Sequence, residues 1–215
     1  MDSEGKLKEI PNEKLNFVEQ FDGVIAGTDE AGRGPLAGPV VAAAAVLTEQ
    51  QKEILIKLGL RDSKRMNSGK REALFHKMCE IGVVWRAQAA SVETIDRLNI
   101  NAASLWAMKK SVNRLPVEVE LVVVDGLHEL PDLFVRQVPL VTADDLVPSV
   151  SAASVIAKVL RDRVMTALDR IYPQYGFARH KGYPTEAHRN AVRTFGLSPE
   201  HRALFCRKLT SSQER

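Results

Sequence analysis

With 215 residues, 45% of them hydrophobic, the chain can bury the core of one ordinary domain without staples, which excludes a largely disordered protein. Its two cysteines, Cys79 and Cys206, lie far apart, so a disulfide framework, a CxxC redox motif and a cysteine zinc cage are excluded. The 30 Lys+Arg and 27 Asp+Glu leave a net charge of only +3, a balance that by itself argues against a basic coat for nucleic acid. No apolar run approaches the ~20 residues that span a bilayer. The opening MDSEGKLKEI has no apolar secretory core, so a soluble, cytoplasmic protein is expected.

Residues 1–20 are polar and mixed in charge, and read as a tail or short helix ahead of the domain. Residues 24–29 then read as a strand, residues 31–39 as a Gly/Pro-punctuated turn and residues 40–47 as a second strand, most simply antiparallel to the first. Asn67-Ser68 caps a helix over residues 70–79 that ends near Gly82. A third strand over 83–90, helical periodicity over 91–115 closed by Pro116, and a strongly apolar strand over 119–126 follow. A shorter strand near residues 133–138 precedes a long helix over 149–171, whose first half is built of Ser and Ala. From Tyr172 the chain is aromatic and basic with two short helical patterns, and residues 210–215 read as a tail. This alternation predicts one α/β domain, a mixed sheet flanked by helices, with a C-terminal helical segment.

In open α/β sheets the functional crevice lies beyond the carboxyl ends of strands. Two predicted strands end there in acids, Asp29-Glu30 after the first and Asp125 after the fourth. If those strands are parallel neighbours, three carboxylates converge. Each like-charge pair at ~4 Å then costs on the order of 4 kcal/mol at an effective dielectric of ~20. Divalent cations remove that cost, and hard oxygen donors without His or Cys favour Mg2+ or Mn2+ over zinc. Ordinary turn chemistry is the alternative at each place, since an Asp before a Gly-rich turn caps backbone donors and Asp-Gly is a common turn pair. Gly27 and Gly32 have the G-x-x-x-x-G spacing of a phosphate loop, but Arg33-Gly34 stands where Lys-Ser/Thr is required. The glycines instead offer bare backbone beside the acids, where a sugar or phosphate can approach main-chain N–H groups. His180, His188, His201 and Cys206 fit no usual zinc spacing and read as core or surface residues. The chemistry these parts suit is two-metal phosphodiester hydrolysis.

Several motifs follow one another between about residues 22 and 209: GTDEAGRGPLAGPVV at 27–41, Asp62-Ser63-Lys64, Asn99-Ile100-Asn101 and Val124-Asp125-Gly126, then SAASVIAK at 151–158 with Arg161-Asp162. Tyr175-Gly176-Phe177, HKGYPT at 180–185 and SPEHR at 198–202 complete the series. In this order they resemble the ribonuclease HII family, in its bacterial style. The resemblance implies a ribonuclease-H-like fold and endonucleolytic hydrolysis of the RNA strand of RNA–DNA hybrids. It also implies incision 5′ to ribonucleotides embedded in duplex DNA, with 5′-phosphate products, as in ribonucleotide excision repair. The implied cofactor is a divalent cation, Mn2+ or Mg2+, held by Asp29, Glu30, Asp125 and a fourth acid.

The family carries that fourth acid in a Lys-Gly-Asp or Lys-Ala-Asp context, where this chain reads Thr142-Ala143-Asp144-Asp145; spacing to Ser151 selects Asp144 over Asp145. Asp162, four residues from Lys158, reads as a helix-surface ion pair. The backbone of Gly32, Arg33 and Gly34 is expected at the ribose 2′-OH, the group that lets a protein tell RNA from DNA, and Tyr183 at the sugar beyond the RNA-to-DNA junction. Lys64, Lys158, Arg161 and Lys181 are the expected basic contacts to the substrate, and the protein is expected to be a monomer with no membrane partner. Type III enzymes carry a sizeable extra N-terminal domain and lack the Gly-Arg-Gly turn, so type II is expected.

Split at residue 150, the near-neutral total separates. Residues 1–150 hold 18 Lys+Arg and 22 Asp+Glu, a net of −4, and residues 151–215 hold 12 and 5, a net of +7. Lys158, Arg161, Arg179, Lys181 and Arg189 cluster around the small-residue helix and the Tyr183 loop, as a backbone cradle beside an acidic centre requires.

Overall fold

A computed structural model describes residues 12–60 and 66–210. In chain order the elements are α1 (Asn12–Gln20), β1 (Ile25–Ala31), β2 (Val40–Val46), α2 (Glu49–Lys57), α3 (Ser68–Glu80), β3 (Val84–Ala90), α4 (Val92–Leu98) and α5 (Ile100–Asn113). Then come β4 (Leu121–Asp125), β5 (Arg136–Leu140), α6 (Ala143–Leu146), α7 (Pro148–Ile171), a 3-10 turn at Pro173–Tyr175, α8 (Phe177–His180), α9 (Glu186–Phe195) and α10 (Ala203–Thr210).

The strands form a five-stranded mixed sheet in the order β3-β2-β1-β4-β5. β1 pairs antiparallel with β2 and parallel with β4, β3 is antiparallel to β2, and β5 is parallel to β4. Strand β2, VVAAAAV, is buried along nearly its whole length. Its two-residue period sends Ala43 and Ala45 to one core and Val40, Ala42 and Ala44 to the other. With only alanine on much of both faces, helices can lie close on each side. Ala103, Ala107 and Met108 of α5 cover one face; Ala152, Ala153 and Ile156 of α7 cover the other, with Leu55 of α2 and Leu74 and Met78 of α3 beside them.

Gly27 sets how close α7 comes. A Cβ there would stand 2.2 Å from the Val150 nitrogen and 2.3 Å from the Ser149 carbonyl carbon. Glycine therefore allows the first turn of α7 to rest on β1, and Pro148 at the start of that helix supplies a preset φ where no intrahelical N–H is needed.

Of the tail or short helix expected ahead of the domain, residues 12–20 form the helix α1, with Val18 buried against Leu121, Val123 and Val138. Three differences from the sequence expectations have physical causes. The helical stretch 91–115 is broken at Asn99, whose φ of 69° stops α4 while its side chain caps the Asn101 and Ala102 amides of α5 at 3.0 and 3.1 Å. Helix α2, for which no element was expected, is held by a Thr48 capping box and by burial of Leu55. The strand expected near 133–138 pairs two to three residues later, because its register on β4 aligns Arg136 with Leu121.

Candidate active site

The parallel pairing of β1 with β4 runs from Ile25↔Leu121 to Thr28↔Val124. Asp29 and Asp125 are therefore the next residues on neighbouring strands, at the carboxyl end of the sheet. Asp29 and Glu30 do not follow β1, as expected, but lie within it, paired across to Ala43 and Ala42. Strand geometry thus points the two side chains to opposite faces at the start, and the strand end brings both to one cavity. That cavity, of about 360 Å3, is lined by Asp29, Glu30, Gly32, Asp125, Ser154, Lys158 and Tyr183, with Ala31 and Arg71.

Each carboxylate is turned to a protein donor. Asp29 Oδ1 accepts from the Glu30 amide at 2.6 Å, and Ser154 of α7 also hydrogen-bonds this carboxyl group. Glu30 Oε1 accepts from Arg33 Nη1 at 3.2 Å, and Asp125 Oδ1 from the Ala143 amide at 2.9 Å. Burial, and after it the charges of Glu30 and Asp125, hold Asp29 well above the ordinary carboxylate range. Burial raises Glu30 as well, with Arg33 pulling it back and Asp125 pushing it further up. Among the described residues no three His, Cys, Asp or Glu side chains close around one point as a metal site. The donor set still fits a hard divalent cation: three carboxylates share one cavity, and burial, with like charge after it, raises Asp29 as expected where a positive charge is called for.

Asp144 and Asp145 both lie on α6, which gives them different surroundings. Asp144 is fully buried, and its backbone carbonyl accepts from Ser151 Oγ at 2.5 Å. The preceding amide, that of Ala143, is the one bonded to Asp125, so Asp144 adjoins the acidic cluster without lining its cavity. Asp145 is exposed and lies with Ile56, Leu60 and Pro148. Asp162 accepts from Lys158 Nζ at 2.7 Å and lies 3.6 Å from Arg71, the ion pair expected of it.

Arg161 requires a correction. Expected at the substrate, it is fully buried, and its guanidinium donates to the carbonyls of Pro39, Lys181 and Ala37 at 3.0, 3.0 and 3.2 Å. Its length and small-residue surroundings on α7 draw it beneath the Gly-Arg-Gly turn rather than out to solvent. A Cβ on Gly32, whose φ is +103°, would meet its Nε at 2.0 Å. Arg202, to which sequence reasoning gave no role, works from the other side. Fully buried, it donates to the carbonyls of Gly32, Arg33, Pro35 and Gly38 at 2.6–3.0 Å. The turn 32–39 is thereby braced by two buried arginines.

The remaining expected residues divide. Gly34 lies beside Tyr183, which is 42% exposed at the cavity, with Lys158 Nζ 5.8 Å from the ring centroid. Arg33 is exposed and donates to Glu30 and to Asn101 Oδ1, which explains the Asn99-Ile100-Asn101 motif: the first Asn caps α5 and the second holds the arginine. Lys181 Nζ donates to Thr166 Oγ1 and to the Ala178 carbonyl. Lys64 and the rest of the Asp62-Ser63-Lys64 motif lie outside the described residues. The histidines form core hydrogen bonds: His188 and His201 meet through their Nε2 atoms at 3.0 Å, and His188 Nδ1 bonds the Tyr183 carbonyl at 2.9 Å. Ser154, Arg71, Asn101 and Arg202 escaped sequence reasoning as site residues; three of them sat within or beside motifs, but only tertiary placement gives them partners.

The sequence model of the family described as Ribonuclease HII matches residues 26–208. The chain belongs to the ribonuclease HII family. Ribonuclease HII of Coxiella burnetii (strain Dugway 5J108-111) is 49% identical over 182 residues, covering 85% of this chain and 88% of that one. The crystal structure of the ribonuclease H2 from Pyrococcus horikoshii OT3 superposes with a TM-score of 0.76 at 28% identity, covering 89% of this chain and 100% of that one. Bst-RNase HIII in complex with Mn2+ superposes with a TM-score of 0.73 at 20% identity, over 92% of this chain and 72% of that one, a likeness of fold. As a ribonuclease HII the chain is an endoribonuclease that hydrolyses the RNA strand of RNA–DNA hybrids. No helix among its described residues is long and apolar enough to cross a membrane.

Proposed function

We propose that this ribonuclease HII also incises duplex DNA 5′ to single embedded ribonucleotides, leaving 5′-phosphate ends, and that it works with two divalent cations, Mg2+ or Mn2+. The observation that carries this reading is the convergence of Asp29, Glu30 and Asp125 in one cavity with Gly32, Lys158 and Tyr183. Asp29, Glu30 and Asp125 would hold the cations, with Asp144 behind them as the fourth acid. Bound there, the cations would supply activation of the attacking water and stabilisation of the leaving 3′ oxygen.

The protein groups have separate tasks. Arg161 and Arg202 turn the carbonyls of residues 32–39 inward. The amide edge of the Gly-Arg-Gly turn is then the edge left to meet a ribose 2′-OH, which supports reading RNA against DNA at a single nucleotide. Tyr183, exposed across from Gly34, offers a flat apolar face to a neighbouring sugar. Lys158 adds positive charge beside the acids, where a phosphate would sit.

The test is a duplex carrying one ribonucleotide, incubated with Mg2+ or Mn2+, and its all-deoxy twin. Incision 5′ to the ribonucleotide, absent from the twin and abolished by EDTA, is expected. Cutting of uniform hybrids with an intact single-ribonucleotide duplex would overturn the proposal, as would undiminished cutting in EDTA.

A further inference from the structure

The three histidines His180, His188 and His201, which fit no zinc spacing, stand together against the Tyr183 loop. His188 is fully buried and His201 nearly so. The His180 and His188 rings stack with centroids 4.3 Å apart, and Phe177 meets both edge-on. None of the three lines the acidic cavity.

Their hydrogen bonds fix the proton of each neutral ring. The Ser198 amide donates to His201 Nδ1 at 3.0 Å, which leaves the His201 proton on Nε2. His188 Nε2 lies 3.0 Å away and accepts it, so His188 carries its own proton on Nδ1 and donates to the Tyr183 carbonyl at 2.9 Å. His180 accepts the Gly182 amide on Nδ1 at 3.2 Å and donates from Nε2 to the Tyr175 carbonyl at 2.8 Å. Burial lowers His188 from the ordinary imidazole value, and burial with the neighbouring His188 brings His201 to about 4. Both rings are therefore neutral in neutral solution, as one proton shared between two Nε2 atoms requires.

The loop these rings support has an uncommon shape. Lys181 and Gly182 have φ of 52° and 80°, and three successive carbonyls are taken by groups from other elements. Arg161 Nη1 donates to Lys181 at 3.0 Å, the Leu36 amide to Gly182 at 2.8 Å, and His188 to Tyr183. The first two tie the loop to α7 and to the turn 32–39. The third comes from the first turn of α9, which Thr185 caps, and with the Thr185 amide at 2.8 Å it fills both lone pairs of the Tyr183 oxygen. The ring itself is held less firmly, with Lys158 Nζ and Arg161 Cζ at 5.8 and 5.9 Å from its centroid. Its place beside Gly34 is thus set by the backbone of residue 183.

We propose that His188, kept in its Nδ1–H form by His201, is a positioning residue for Tyr183, fixing the backbone that sets the ring against the sugar beyond the RNA-to-DNA junction. The inference rests on the reading of Tyr183 given above and adds the group that aims it. The histidines act on the substrate through one carbonyl, without touching it.

The experiment compares His188→Asn with His188→Gln, because the two amides replace different nitrogens of the ring. An Asn amide stands near the place of Nδ1 and still donates to the Tyr183 carbonyl; a Gln amide reaches the place of Nε2, keeps the His201 contact and drops the carbonyl. The readout is the ratio of kcat/KM on a single-ribonucleotide duplex to kcat/KM on a uniform hybrid. His188→Gln should lower that ratio about tenfold and His188→Asn less than about threefold, as expected when a positioning contact is lost or kept. Tyr183→Ala should lower it at least as far as His188→Gln. Packing alone predicts the opposite order, since Gln fills more of the imidazole volume. With Tyr183→Ala impaired, equal losses in the two His188 variants, no loss in either, or a larger loss in His188→Asn would overturn the proposal. An unaffected ratio in Tyr183→Ala, or a wild type that fails on the single-ribonucleotide duplex, would instead bring down the reading beneath it, and the proposal with it. A measurement on the unsubstituted protein covers variants that melt early. Ring nitrogen-15 correlation spectra at neutral pH should show His188 as the Nδ1–H tautomer and His201 as the Nε2–H tautomer; a His188 protonated on Nε2 overturns the proposal whatever the variants do.

Discussion

At the carboxyl ends of β1 and β4 three acids crowd one cavity, whereas beneath residues 32–39 two buried arginines are surrounded by carbonyl oxygens. Both regions bury charge. In the first, each carboxylate's neighbours include other carboxylates, and Asp29 is held well above its ordinary range by burial and by like charge. In the second, Arg161 and Arg202 meet a fan of backbone dipoles; burial is the leading force against their charged forms, with the charge of Arg161 adding to it at Arg202. One region is complete as folded; the other, on the proposed reading, takes its compensating charge from bound cations. Active sites built this way trade stability for function, while the brace supplies the rigidity they need.

The largest effects should come from removing the acids. Asp29→Asn and Asp125→Asn should each lower cleavage about 1,000-fold or more, roughly 4 kcal/mol of transition-state stabilisation. Hybrid affinity should stay within about twofold, measured by single-turnover kinetics beside anisotropy. In EDTA at pH 8, Asp29→Asn should melt above wild type. An acid whose folded pKa is raised keeps its proton in the fold to higher pH, so metal-free stability is full below the ordinary aspartate value of 3.8 and falls as pH rises through the raised value. The melting gap should therefore close near pH 4; equal melting at pH 8 would break the contrast drawn here. Asp144→Asn should cost far more activity than Asp145→Asn, because only Asp144 is buried beside the cluster. The reverse order would move the fourth acid to Asp145.

Next in size is the brace. Arg202→Leu leaves the carbonyls of Gly32, Arg33, Pro35 and Gly38 without their charged donor, which should cost about 3 kcal/mol or more. Chemical denaturation measures it, and a loss under about 1 kcal/mol would show that water or the turn itself meets those carbonyls. Arg202→Lys should recover little, since an ammonium cannot reproduce the planar fork.

The smallest expected effect separates the brace from the acids by pH. His201 accepts the Ser198 amide on Nδ1 at 3.0 Å, so its Nε2 carries the proton and donates to His188 Nε2. Burial, then the neighbouring His188, pushes His201 down to about 4. A depressed imidazole pKa means the unfolded chain takes up the proton first. Its contribution is full above pH 6.5 and is lost as pH falls from there toward about 4. His201→Gln should flatten that acid limb of a stability–pH curve; an unchanged limb would place the titration elsewhere.

Legibility followed whether a residue's role is local. The Asn67 cap and the small-residue face of α7 are written in periodicity and turn chemistry over a few residues, and the folded chain keeps them. The parallel pairing of β1 with β4 is not local: Gly27 and its partner Val123 are 96 positions apart. The motif Asn99-Ile100-Asn101 was visible, but that Asn101 accepts from Arg33 was not, because the two are 68 positions apart. Arg161 shows the limit most clearly. On a helix rich in charge it reads as a solvent-facing cation, and only the packing of α7 under residues 32–39 buries it.

The sequence by itself determined the family, the alternating α/β pattern and the three acids Asp29, Glu30 and Asp125, because these reside in residue identity and short-range order. Tertiary structure alone decided that those acids share a cavity, that Asp144 rather than Asp145 is buried beside them, and that Arg161 and Arg202 hold the turn. The physical reason is that burial and long-range hydrogen bonding are properties of a packed chain. A side chain's charge is written in its codon, but its dielectric surroundings and partners exist only once the helix and sheet have closed over it.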